Sequence, residues 1–174
     1  MSLSLYQSSV ATFQRSLLAF LVILEKAQAH AEARKFDPAN YLALRLAPDM
    51  WPLARQVQVF CDHAKNASFR LAGAAAPFFE DKETTLPELR ARIDATLECL
   101  KRLDAAAIDT GADREVIMPL GPNKAKMLGA NYLIHFVLPN FYFHMTTAYD
   151  ILRSAGVEIG KRDFLGEVPG FTRI

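Results

Sequence analysis

The sequence has little of what would place it in a specialised class. It contains only two cysteines, Cys61 and Cys99, which fall in predicted helices and form no C-x-x-C pair. We therefore expect reduced core thiols rather than a disulfide or a zinc site. The formal net charge is +1, and no basic run or acidic tail stands out. Because phosphate-driven binding usually needs a basic stripe, nucleic acid is not an expected partner.

Long apolar runs are also missing. The longest covers residues 17–24, whereas a helix that crosses a bilayer needs about 20 apolar residues. Residues 1–4 lack the basic region and the early apolar segment of a signal peptide. We therefore expect a cytoplasmic protein that does not bind a membrane.

The familiar catalytic motifs do not occur. The sequence has no glycine-rich phosphate loop, no G-x-S-x-G elbow and no H-E-x-x-H pair. Its carboxylates fall mainly on predicted solvent-exposed faces. A Ser-His-Asp set is not evident from spacing, which does not test for one assembled in three dimensions. These motifs therefore assign no reaction class, and whether the protein is an enzyme stays open.

Helical periodicity is what the sequence does contain. Apolar residues recur at three- and four-residue steps through most of the chain, as in helices with one buried face. The pattern predicts an all-α single domain, residues 1–174, built as an antiparallel four-helix bundle with a short extra helix and a small β-hairpin. The predicted long helices cover residues 5–33, a segment from a cap at Asp49 to residue 71, a segment from Thr84 or Thr85 to about residue 103, and residues 130–155. The short helix covers residues 39–46, and the strands cover residues 114–120 and 124–128.

Several surfaces follow from this assignment. Residues 17–24 are apolar on every side of the first helix, so that helix is either buried all round or meets another subunit. We favour the second interpretation and predict a homodimer. Pro139 should kink the last helix, and the chain after Val157 should drape over the bundle without forming a helix. The outer face of the third helix should be solvent-exposed: Arg90, Arg92, Asp94, Glu98, Lys101 and Arg102.

The four histidines differ in their surroundings. His30, near the end of the first helix, is expected at the surface. His63 lies at the border of the apolar stripe of helix two, where it is either a core residue with one hydrogen bond or a site residue. His135 and His144 are nine positions apart, which puts them on opposite faces of a straight helix. Asn140 and His144 are four positions apart and share a face.

The last helix is rich in aromatic residues, which at helical spacing usually belong to a core or an interface. The alternative is a pocket around His144 whose wall would include Phe60, Phe136 and Thr147. The Thr147 hydroxyl would then bind a ligand, or it would simply bond back to its own helix. The residues alone leave both interpretations open.

Several blocks of the sequence resemble an uncharacterised bacterial family, the domain of unknown function numbered 1993. That family lies within the DinB-like metalloenzyme superfamily. The resemblance spans nearly the whole chain, from Leu5 to Gly166. The blocks that carry it are residues 46–57, 79–81 with 84–85, 135–144 with 146–149, and 160–166.

The resemblance implies an up-down-down-up four-helix bundle that is often dimeric. It also implies a divalent metal, zinc or nickel, held by one histidine of helix two and two histidines of helix four. His63 and His144 match two of these ligands, but Asn140 stands at the middle position. Relatives with all three histidines include thiol-dependent transferases and isomerases.

Two functional hypotheses follow. The first is a small-molecule-binding or metal-assisted enzyme of the thiol transferase or hydrolase type. Its degenerate site would lie between helices two and four, with His63, Asn140 and His144 converging. The second is a non-catalytic dimeric protein with a stress or interaction role, in which the histidines are structural. The incomplete ligand set and the apolar first helix favour the second.

Overall fold

The computed structural model describes residues 4–172, and it is mainly helical with one antiparallel sheet of two strands. The predicted helical class and the hairpin are therefore confirmed. The helices are α1 (Thr12–Ala33), α2 (Leu53–Ala72), α3 (Leu86–Lys101), α4 (Ala105–Asp109), α5 (Gly129–Asn131), α6 (Leu138–Ser154) and α7 (Lys161–Leu165). The strands are β1 (Glu115–Leu120) and β2 (Asn123–Leu128).

Local signals fix the ends of α2 and α3. The Thr85 hydroxyl accepts the Glu88 N–H, and the Glu88 carboxylate accepts the Thr85 N–H, which makes a capping box. Helix α2 ends at Gly73 in a left-handed conformation with φ of 72°, which suits glycine. The predicted cap at Asp49 is wrong, because α2 begins after Pro52 and has no side-chain cap.

Two of the long helices follow directly after a π-helical segment. Gln7–Ala11 precedes α1, and Tyr132–Val137 precedes α6. We predicted a kink at Pro139, and the second π segment ends two residues before it. Pro139 has no N–H, and its ring crowds the carbonyl four residues earlier. The wider π turn accommodates this, and the Leu138 N–H bonds to the Leu133 carbonyl, five residues back.

The core lies where α2 packs against α3 and α6 and where α1 packs against α3. Its aromatic centre includes Phe20 and Phe60, with ring centroids 4.9 Å apart. Each fully buried side chain of this size contributes about 1.5–3 kcal/mol. Cys61 and Cys99 are free and buried, so the expected reduced core thiols are confirmed.

Three short elements differ from prediction. The expected helix over residues 39–46 is only a 3₁₀ turn, Pro38–Tyr41, which Asp37 caps. The segment between α3 and the hairpin contains α4, because the Asp104 side chain accepts the Ala107 N–H and starts a turn. The tail contains α7, which packs against α1 and is held there by an ion pair between Lys26 and Asp163 at 2.6 Å.

Arg92 is the largest departure from the predicted surface. Helical spacing puts it on the outer face of α3, but its side chain is only 2% exposed. The segment 74–85 folds over this face, and Arg92 forms ion pairs with Asp81 at 2.9 Å, Glu83 at 2.9 Å and Asp62 at 3.2 Å. The periodicity of one helix could not reveal this cover, because the carboxylates come from other segments.

The hairpin is attached to the end of α2. The Arg114 guanidinium donates to the Leu71 carbonyl, and a Cβ at Gly111 would lie 2.2 Å from the Leu71 oxygen. Only glycine therefore fits at position 111. This attachment places Met118 and Pro119 of β1 beside α2.

One helical stretch, Gln7–Ala33, is long and apolar enough to cross a membrane by length and composition alone. Half of its most apolar window is buried inside the protein, which is also the pattern of a core helix. Phe13, Leu17, Phe20 and Leu24 are all fully buried. The cytoplasmic location stays a prediction.

Candidate functional site

A cavity of about 240 Å³ opens along one face of α2, beside β1 and the π segment. We call it the His63 pocket. Residues of α2 at three- and four-residue steps form one side, because such positions share a helix face. The lining residues are Trp51, Arg55, Val59, Asp62, His63, Asn66, Arg70, Met118, Pro119 and Phe136.

His63 lines this pocket, and its ring stacks with His144, which lies next to it but does not line the pocket. Their ring centroids are 5.8 Å apart, and the ring planes differ by 14°. Trp51 also stacks with His144, with centroids 5.6 Å apart and planes 18° apart. His144 itself is buried.

Gln56 sets the tautomer of His144. The Gln56 Nε2 donates to the Trp51 carbonyl at 3.0 Å, so its Oε1 faces His144 as an acceptor. That oxygen lies 2.7 Å from His144 Nδ1. Nδ1 therefore carries the proton, and Nε2 keeps the lone pair.

Both imidazoles favour the neutral form. Burial, and after it positive charge on His144 and Arg70, lower the pKa of His63 to about 4. Burial also lowers the pKa of His144, and Arg55 adds to that effect. Neither ring nitrogen of His63 has a hydrogen-bond partner in the described chain, residues 4–172. His63 therefore presents one donor and one acceptor that no other protein group uses.

The charged groups at the pocket differ in how they are compensated. Arg55 is paired with Asp81, and its guanidinium lies 5.4 Å from the Trp51 ring centroid. Asp62 is paired with two buried cations, Arg92 at 3.2 Å and Lys65 at 3.3 Å. Each of these two charges therefore has an opposite charge beside it.

Arg70 differs from these groups. Its Nη1 donates to the Tyr132 hydroxyl at 2.9 Å, and it has no carboxylate at ion-pair distance within residues 4–172. Tyr132 is buried, and its ring stacks with Phe136 at 5.9 Å. Arg70 is thus an oriented cation whose charge the surrounding side chains do not neutralise.

The other predicted site residues are placed differently. The Asn140 side-chain amide donates to the Phe136 carbonyl at 2.7 Å, within its own helix. Phe136 lines the pocket, whereas Phe60 is fully buried in the core against Phe20 and Phe141. The Thr147 hydroxyl bonds back to the Phe143 carbonyl at 2.7 Å.

The remaining two histidines lie outside the pocket. His135 is exposed on the π segment. His30 was expected at the surface, but it is half-buried, and its Nδ1 lies 2.5 Å from the Tyr41 hydroxyl oxygen.

The residues present do not fit the metal site that the resemblance implies. Within residues 4–172, no three His, Cys, Asp or Glu side chains are grouped so that they could hold a metal ion. A catalytic zinc usually has three protein ligands and a water. Only His63 and His144 come together, and the Asn140 amide is used by its own helix.

The spacing of polar residues in α2 indicates the pocket, although the spacing of the histidines does not. Arg55, Val59, Asp62, Asn66 and Arg70 follow one another at three- or four-residue steps in α2. Four of these five residues are polar, so the stripe marks a second, non-core face of the helix. Met118 had no comparable signal, because its position depends on how the hairpin docks.

Comparisons with known proteins identify the family and a structural relative. A family model described as a domain of unknown function, DUF1993, matches residues 5–165. A solved structure of a DinB family member protein from Shewanella denitrificans is 41% identical, with a TM-score of 0.90. That match covers 97% of this chain and 96% of the other. No curated protein matches the chain. The chain therefore belongs to the DUF1993 family, and its placement is DinB-like.

Proposed function

We propose that this protein binds a small organic molecule in the His63 pocket without a metal ion. The observation that carries the proposal is the state of His63. It is a neutral imidazole with two uncommitted nitrogens, and it lines a cavity that Trp51 and Phe136 also line. Such a group recognises a ligand through one donated and one accepted hydrogen bond.

The composition of the pocket supports the same function. Small-molecule sites combine apolar walls with a few placed polar groups. Here Val59, Met118 and Phe136 supply apolar contact, and His63 and Asn66 supply hydrogen bonds. At about 240 Å³ the cavity suits a ligand smaller than a drug-sized compound, since those occupy roughly 300–1,000 Å³.

The pKa of His63 argues for binding rather than proton abstraction. A general base works best when its pKa is near the operating pH. With a pKa of about 4, His63 is a weak base at neutral pH, so it orients a ligand rather than taking its proton. The donor set likewise gives no support to metal-assisted thiol transfer or hydrolysis.

Trp51 provides the test, because it is the only tryptophan in the sequence and it lines the pocket. A library of small organic compounds is titrated against metal-free protein while tryptophan fluorescence is recorded. We expect hits that change Trp51 emission and lose binding in His63→Ala. His135→Ala, which removes an exposed histidine, is the matched control and should bind normally. No hit, or hits that bind His63→Ala unchanged, would contradict the proposal.

A second candidate, compatible with the first, is self-association. Leu18 and Val22 are exposed on α1, and together with Gly166 and Pro169 of the tail they line a groove of about 440 Å³. We propose that two copies pack here as a homodimer, which would give the protein an interaction role. We also propose that the four long helices form an up-down-down-up bundle and that the protein is cytoplasmic.

Sedimentation equilibrium tests the dimer. Leu18→Glu should shift the mass toward that of a monomer, because it places a charge in the apolar contact. Leu44→Glu changes an equally apolar exposed residue that does not line this groove, and it should leave the mass unchanged. A wild-type monomer at all concentrations would contradict self-association.

A further inference from the structure

We infer that the ligand of the His63 pocket carries an anionic group that Arg70 binds, beside a neutral polar group that faces His63 and Asn66. This inference rests on the proposed binding function and names the chemical class of its ligand. Its basis is the distribution of charge around the cavity.

The charges other than Arg70 are already compensated. Asp81 neutralises Arg55, and Arg92 and Lys65 neutralise Asp62. Those two cations have side chains only 2% and 3% exposed, so their pairing with Asp62 is shielded from solvent. The field inside the pocket is therefore set mainly by the unpaired guanidinium of Arg70, which favours a negative ligand.

Arg70 is also held in place for such a contact. Its Nη1 is bonded to the hydroxyl of Tyr132, which is itself fully packed. A guanidinium has five N–H donors, so this bond leaves others free for an anion. A planar guanidinium binds a carboxylate or phosphate with two parallel hydrogen bonds, a bidentate contact that other side chains do not match.

The remaining surroundings specify the neutral part of the ligand. Asn66 lies three positions after His63 and four before Arg70, so the three residues share one side of α2. The Asn66 side chain has no hydrogen-bond partner within the described residues 4–172. A cationic ligand would meet the unpaired Arg70 guanidinium at this wall, whereas an anion with a neutral polar group satisfies His63, Asn66 and Arg70.

The test compares acids with their own amides. Benzoate and benzamide form one pair, and hexanoate and hexanamide form another; each is titrated against metal-free protein by Trp51 fluorescence. We expect each acid to bind at least about tenfold more tightly than its amide, since a hydrogen bond to a charged group is stronger than a neutral one. Arg70→Gln should remove this preference. Arg102→Gln, which removes an exposed arginine of the α3 C-terminus, should keep it.

The possible outcomes separate this inference from the proposed function. Amides that bind as tightly as acids, or a preference that survives Arg70→Gln, would overturn the anionic class and leave the His63 pocket standing. If neither acids nor amides bind but neutral compounds of the wider library do, the inference fails alone. If nothing in the library binds, both fail. The acid–amide comparison on wild-type protein remains decisive even if Arg70→Gln does not fold.

Discussion

At the scale of single residues, burial decides what the histidines can do. His63 and His144 share a stacked arrangement in which each is less easily protonated than an isolated imidazole. Gln56 fixes one tautomer of His144, and among residues 4–172 no comparable group holds His63. The pair is therefore asymmetric, with one ring structurally fixed and the other available to a ligand.

The lowered pKa of His63 predicts acid sensitivity. An unfolded imidazole takes up a proton near pH 6.5, whereas folded His63 does so only near pH 4. The folding stability that depends on neutral His63 is therefore fully present above pH 6.5, and it is lost as the pH falls toward 4. The lowered pKa corresponds to roughly 2 kcal/mol in the free energy of unfolding after allowance for solvent screening.

Urea unfolding at several pH values measures this effect. His63→Gln should lose less free energy of unfolding than the wild type between pH 6.5 and pH 4. His135→Gln removes an exposed histidine and should follow the wild type. Parallel curves for wild type and His63→Gln would show that His63 is not held neutral by the fold.

Gln56 gives a second prediction at this scale. Gln56→Met keeps the side-chain length but leaves the Nδ1–H of His144 and the Trp51 carbonyl without their partner. A buried polar group that loses its partner costs about 1–3 kcal/mol, which thermal or urea unfolding can measure. Gln28→Met on α1, where the amide bonds only to Glu32, should cost less than about 0.5 kcal/mol. Equal losses in the two variants would contradict the assigned role of Gln56.

At the scale of elements, the segment 74–85 is held by charge rather than by its own secondary structure. Lys65 donates to the Pro77 carbonyl at 2.6 Å, and its ammonium lies 4.3 Å from the Phe79 ring centroid. Arg92 bonds to the Glu80 carbonyl and to Glu83. Two buried cations from α2 and α3 therefore fix a segment that contains neither helix nor strand.

Removing Arg92 should release this segment. Arg92→Met leaves Glu83 without a cation and Asp62 with Lys65 alone, and breaking a buried pair costs about 3–5 kcal/mol. Arg90→Met, on the same helix, loses only the exposed pair with Glu25 and should cost under about 1 kcal/mol. Urea unfolding gives both values, and limited proteolysis should cut residues 74–85 faster in Arg92→Met alone. Similar costs for the two variants would contradict the buried network.

At the scale of the whole molecule, the sequence predicted what depends on periodicity and local signals. The long helices, the start of α3 at Thr84 or Thr85 and the hairpin all follow from neighbouring residues. It did not predict the burial of Arg92, because that depends on carboxylates 9 and 30 positions away, Glu83 and Asp62.

The candidate site shows the same division. One of the two hypotheses brings His63, Asn140 and His144 together. The rings of His63 and His144 lie 5.8 Å apart, whereas the Asn140 amide bonds within its own helix. The wall that makes the space a pocket comes from Met118 and Pro119 of β1, whose approach depends on how the hairpin docks at the end of α2. Nothing in the local sequence encodes that docking, so the shape of the cavity could not be read from the sequence.

The most direct test of the metal-free binding site is a crystal structure of protein purified without an affinity tag and soaked with a ligand found by Trp51 fluorescence. We predict ligand density within hydrogen-bond distance of a His63 ring nitrogen, with no anomalous signal from a metal. An anomalous metal peak between His63 and His144, or a ligand bound only elsewhere, would contradict it.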